Sequence, residues 1–192
     1  MKIKLLILFI IASFQLFAQK LKYEKPDYKK IEKEISDKNS NSYYPLLIYR
    51  YNKSDTTLTK KEFELLYYGS IFQDSFSAYS HSDFSDSLRP LLSKESLVPE
   101  DYDKIIRFEK VVLNKFPFNL RDLNTLAYAY DKKGMQDSVQ YINFKLDNIL
   151  NTILNSGDGE STKTGWHVIT VGDEYSLLNF LGYEFDGQQS LI

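Results

Sequence analysis

Hydrophobic positions in the middle of the chain recur every three or four residues, and they predict a succession of helices. Tyr28, Ile31 and Ile35 are spaced this way among lysines and glutamates, which reads as a short amphipathic helix over Tyr28 to Ser36. Ser42 stands as a cap ahead of Tyr43 to Tyr51, where Pro45 suits a first helical turn, although Leu46 to Tyr51 also fits a strand. Thr59-Lys60-Lys61-Glu62 is a capping box, so a helix should start there and pass Phe63, Leu66 and Tyr67 to reach Gly69. Ser75 to Ser87 lacks clean periodicity and reads as loop or irregular helix.

From Val98 onward the pattern sharpens into three helices. Pro99-Glu100-Asp101 opens one whose stripe runs Tyr102, Ile105, Ile106, Phe108, Val112, Leu113 and Phe116, closed by Pro117. Leu120, Leu123, Leu126, Ala127 and Tyr130 form the second, which Gly134 ends. The third, opening at Asp137 or Ser138, carries Val139, Ile142, Leu146, Ile149, Leu150 and Ile153. Short turns between them imply antiparallel hairpins. After Asn155 the pattern changes. A turn-forming run from Gly157 to Gly165 leads into Trp166-His167-Val168-Ile169-Thr170-Val171, which reads as a strand, then a helix from Asp173 through Leu181 closed by Gly182, and a return strand over Tyr183 to Ile192. The expected class is mainly α, with a small C-terminal strand-helix-strand element as a minor α+β part.

Residues 102–155 resemble the tetratricopeptide repeat, a pair of antiparallel helices. With Pro117 in the repeat-ending place, Leu123, Leu126, Ala127 and Tyr130 take the large, large, small and aromatic positions of a first helix, Gly134 the turn, and Val139 the small contact position of the second. The likeness covers about one and a half repeats. It implies either a scaffold or a surface that binds peptides or proteins.

The start of the chain is of another kind. Lys2 and Lys4 precede an apolar run from Leu5 to Ala18 broken only by Ser13 and Gln15, and polar residues follow at once. That is the grammar of a cleavable signal peptide over 1–19, and the run is short of the roughly 20 apolar residues a membrane span needs. The product is expected outside the cytoplasm, periplasmic or secreted, as one mostly helical domain over 20–192 with no membrane span after cleavage. The sequence has no cysteine, which excludes disulfides and a lipid-bearing cysteine. The formal net charge of -2 becomes -4 once Lys2 and Lys4 are removed, with 22 basic residues facing 26 acidic ones. Nucleic acid and anionic membranes are therefore poor partners.

Further residues resemble an uncharacterised family of exported bacterial proteins, a domain of unknown function of about this length. They are Tyr67-Tyr68-Gly69 with Phe72-Gln73, and Gly157-Asp158-Gly159, Ser161, Thr164, His167-Val168-Ile169, Glu174-Tyr175 and Leu181-Gly182. Gly165 stands where the family tends to carry Ala. The resemblance implies export and architecture, and transfers no catalytic residue.

Candidate chemistry is sparse. The two histidines are His81, in a Ser-rich loop, and His167, near Asp158, Glu160, Asp173 and Glu174. A histidine with a carboxylate beside it could serve as a general base in a hydrolase or hold a metal, so His167 is the weak catalytic candidate. Asp158-Gly159-Glu160-Ser161-Thr162 has the alternating oxygens of a calcium loop without the later glycine and glutamate of an EF-hand; a turn is the preferred reading, and neither a metal nor a cofactor is expected. Fifteen tyrosines and 13 phenylalanines either line an aromatic surface groove or, the preferred reading, pack in a helical core with hydroxyls reaching its rim. Tyr67, Tyr68, Asp158, Trp166 and His167 are the candidate binding residues. The favoured function is a non-enzymatic module that binds a protein or peptide in the cell envelope.

Overall fold

The computed structural model describes residues 23–78 and 84–183; the expected signal peptide, His81 and the return strand beyond Tyr183 lie outside them. Among the described residues there are eight α-helices: α1 Tyr28–Ser36, α2 Tyr44–Asn52, α3 Lys60–Gly69, α4 Phe84–Leu92, α5 Pro99–Lys115, α6 Leu120–Lys132, α7 Gln136–Leu154 and α8 Val171–Phe180. A single 3-10 turn, Ser70–Phe72, extends α3. The chain is mainly helical, as its periodicity requires.

The helix starts obey local chemistry. Asp27 caps α1 through the amide of Lys30, and Thr59 with Glu62 closes the reciprocal capping box of α3. Asn119 and Thr170 cap α6 and α8 in the same way. At α2 the cap is Tyr43 rather than Ser42, with no side-chain bond, and Pro45 lies in the first turn as expected. The segment open to either helix or strand, Leu46 to Tyr51, is helical. Part of the stretch read as irregular is also regular helix: α4 contains Pro90 and buries Leu88 and Leu91.

Helix α3 is the centre of the larger core. Residues 65–70 are all buried, because α1, α2 and α7 cover different sides of it. That explains a run of five non-polar residues, Leu65 to Gly69, on one helix. Gly69 leaves room for Ile35 of α1: a Cβ there would lie 2.9 Å from Ile35 Cδ1, so that side chain would have to shift. Helix α6 packs between α5 and α7, and a second, smaller cluster of Leu88, Leu91, Ile105, Val112 and Ala129 joins α4, α5 and α6.

The expected strand over Trp166 to Val171 does not form. No neighbouring strand runs beside it among the described residues, and its backbone is bonded by side chains instead: the His167 amide donates to Ser156 Oγ at 2.8 Å and the Ile169 amide to Tyr67 Oη at 3.3 Å. β-Branched composition favours an extended backbone, which Thr170 has, but a ladder needs a second edge.

Candidate functional site

The loop from Ser156 to Thr170 carries most of the motif residues and folds back upon itself. Amides of Asp158 and Gly159 donate to the Thr164 carbonyl at 2.8 and 3.1 Å, the Glu160 amide donates to Asp158 Oδ1 at 2.9 Å, and the Ser161 and Thr164 hydroxyls lie 2.8 Å apart. Gly157 has no room for a side chain, since a Cβ would stand 2.3 Å from the Thr164 carbonyl oxygen. Gly159, at φ +73°, lets the Trp166 indole lie directly over the backbone. Buried Ser156 joins the two ends, accepting from His167 and donating to the Ile153 carbonyl at 2.6 Å. The glycines, Asp158, Ser161 and Thr164 thus serve the loop's own geometry.

Tyr67 and Tyr68 lie in the core rather than at a groove, and their hydroxyls tie α3 to this loop. Tyr68 donates to the His167 carbonyl at 3.1 Å, and its ring meets Tyr28 edge-on at 5.9 Å. Tyr67 donates to Asp173 Oδ2 at 3.0 Å while accepting from Ile169. Asp173 is 2% exposed, and burial pushes its carboxyl up to about 6 even though Tyr67, Thr170 and the Leu120 amide donate to it.

His167 is half-buried, with its ring centroid 6.4 Å from that of Tyr28. Burial and, to a lesser degree, Lys25 lower its pKa. Of the carboxylates expected beside it, Asp173 is bonded by Tyr67 and Asp158 by the Glu160 amide. The structure therefore brings Tyr67, Tyr68, Trp166 and His167 together around one loop without pairing His167 to an acid. Among the described residues, no group of three or more histidine or acidic side chains is placed to hold a metal ion.

Three charged residues that motif reading passes over are buried. Glu109 on α5, Asp122 on α6 and Lys145 on α7 are 1, 3 and 9% exposed. Burial, reinforced by Asp122 and only partly offset by Arg121, pushes Glu109 up to about 8. Glu109 Oε2 is sealed from solvent with no hydrogen-bond partner. Asp122, also raised by burial, is bonded by Arg121 Nε at 3.1 Å. Each was detectable as a charge in hydrophobic phase: Glu109 lies between Ile105 and Val112, Asp122 between Leu120 and Leu123, and Lys145 between Ile142 and Ile149.

The exposed aromatic residues are others than those expected. Tyr128 on α6 is 47% exposed, meets Tyr102 of α5 at 6.1 Å between ring centroids, and carries Lys132 Nζ 5.2 Å above its ring. Beside it Lys133 pairs with Asp103 at 2.9 Å. Arg121, Asn124, Tyr128 and Asp131 form an exposed row along α6.

Compared with known proteins, residues 29–192 match a family model described as a domain of unknown function (DUF4919). No curated protein and no solved structure matches.

Proposed function

We propose that this chain, which belongs to the DUF4919 family, is an exported module that binds a protein or peptide partner in the cell envelope. The 1–19 segment would deliver it there as a cleaved signal, and helices α5 to α7 would stack as a TPR-like unit. The observation that carries the reading is the Tyr102–Tyr128 pair, which holds an exposed ring in a fixed pose with Lys132 over it. A large ring already ordered by its neighbours loses little entropy when a partner covers it, which makes tyrosine a frequent anchor of interfaces. With Arg121, Asn124 and Asp131 in the same row, α6 offers an aromatic centre flanked by polar groups, the arrangement of an interface core and its rim.

The test is site-specific photocrosslinking in intact envelope. A photoreactive amino acid at position 128 should capture one discrete partner, and Tyr102→Ala should abolish that capture. The same probe at exposed Tyr49 on α2 should capture nothing comparable. Equal adducts from both positions, or capture indifferent to Tyr102→Ala, would refute the assignment to α6.

A further inference from the structure

Lys145 is the buried charge that neither the core nor the α6 surface explains. Its ammonium lies 3.9 Å from the ring centroid of Tyr51 and 4.6 Å from that of Tyr141. Both phenols are turned to backbone carbonyls, Tyr51 to Pro117 at 2.7 Å and Tyr141 to Tyr51 at 2.5 Å, so Lys145 meets ring faces and not oxygens. Asp55, in the loop after α2, and Glu62, in the first turn of α3, are bonded to Arg50. Among the described residues Lys145 has no hydrogen-bond acceptor and no counterion. The sealed side-chain atoms without a hydrogen bond among the described residues are Glu34 Oε2 and Glu109 Oε2, and Lys145 Nζ is not one of them. Without a hydrogen bond of its own, it therefore keeps a path to solvent.

Two ring faces attract an ammonium but provide no lone pair for its three N–H groups. Lost hydration therefore dominates and pushes the amine down to about 8. The titratable groups that face it are Tyr51 and Tyr141, and no charged side chain contributes to the shift. A lysine desolvated in an apolar pocket, with its nitrogen still reachable, is the arrangement that makes an amine nucleophilic near neutral pH.

We propose that Lys145 is a covalent modification site, an amine that captures small carbonyl compounds of the aldehyde class as Schiff bases. The ammonium first releases a proton to solvent. The nitrogen lone pair then attacks the carbonyl carbon, the carbonyl oxygen takes up a proton, and the carbinolamine expels water to leave a C=N bond. No electrons are exchanged with an outside reagent. This assignment is independent of the partner surface on α6.

The test uses the mature chain with limiting propanal and sodium cyanoborohydride at pH 7, followed by peptide mapping. At that pH a lysine held near 8 is neutral in about one molecule in ten, against about one in 2,500 for an ordinary lysine. After allowance for the lower nucleophilicity of a weaker base, Lys145 should carry propyl label about tenfold above the median lysine. Its labelling rate should level off near pH 8, whereas the others continue to rise. The preference should vanish when the same reaction is run in urea, and Tyr141→Ala, which opens one wall to water, should reduce it at least threefold. Labelling of Lys145 at or below the median in the folded chain, or a preference that persists in urea, would overturn the proposal.

Discussion

Two carboxyl groups sit equally deep in this protein and have different surroundings. Asp173, where α8 meets α3 and α6, receives donors from Tyr67, Thr170 and the Leu120 amide, and its pKa rises only to about 6. Glu109, between α5 and α6, receives none at Oε2 and has Asp122 for a neighbour; its pKa rises to about 8. Burial is nearly the same, at 2 and 1% exposure. The difference teaches that depth alone does not decide what a buried acid does: donors to the charged form hold Asp173 largely ionised at neutral pH, and their absence leaves Glu109 protonated. One region is a finished polar junction. The other is an interface that tolerates an acid only as a neutral group.

The comparison can be broken most severely at Asp173. Asp173→Ala would strand the Tyr67 hydroxyl and the Leu120 amide in the interior, and we expect a loss of about 3 kcal/mol in urea unfolding at pH 7. A loss under about 1 kcal/mol would show that water replaces the carboxylate.

Glu109→Gln should act in the opposite direction. Because its folded pKa of about 8 lies above the unfolded value, the glutamate's contribution is fully present below about pH 4.3 and is lost as pH rises through about 8. The glutamine variant should therefore be more stable than the parent at pH 8, by roughly 4 kcal/mol, and within about 1 kcal/mol of it at pH 4.5. Thermal melts at the two pH values decide this; an equal difference at both would mean that Glu109 does not titrate in this window.

Tyr67→Phe sharpens the comparison by removing one donor from Asp173 and the acceptor of the Ile169 amide. It should cost about 1 to 2 kcal/mol and move the Asp173 titration, followed by carboxyl NMR, upward toward that of Glu109. The smallest effect is expected at Arg121, whose side chain is 68% exposed. Arg121→Ala should change stability by less than about 0.5 kcal/mol despite its bond to Asp122, because solvent already screens the guanidinium.

Much of the fold was legible in local pattern. The stripes over α1, α5, α6 and α7, the Thr59 capping box and the stop at Gly134, which adopts φ +70°, are properties of a few adjacent residues. The Trp166 to Val171 segment was misread because a strand is a relation between two segments, and only one of them is local. Adjacent residues on a helix point some 100° apart, which argues against burying every tyrosine pair such as Tyr67-Tyr68, even though the core is the preferred place for the tyrosines. That argument fails when a helix is covered on several sides, which α3 is. The run from Gly157 to Gly165 forms the turn that its glycines and short polar residues call for, its residues bond mainly to one another, and the sequence could not show that His167 and Asp173 face different partners.

The sequence by itself determined most of the helices, several of their caps, and that disulfides play no part. Spacing along one chain encodes those features, and caps and periodicity act within a few residues. Tertiary structure alone decided what the buried charges meet: three donors for Asp173, a second acid for Glu109, two aromatic faces for Lys145. These environments are assembled from helices far apart in the chain, and the ionisation and reactivity of a buried group follow from its neighbours in space.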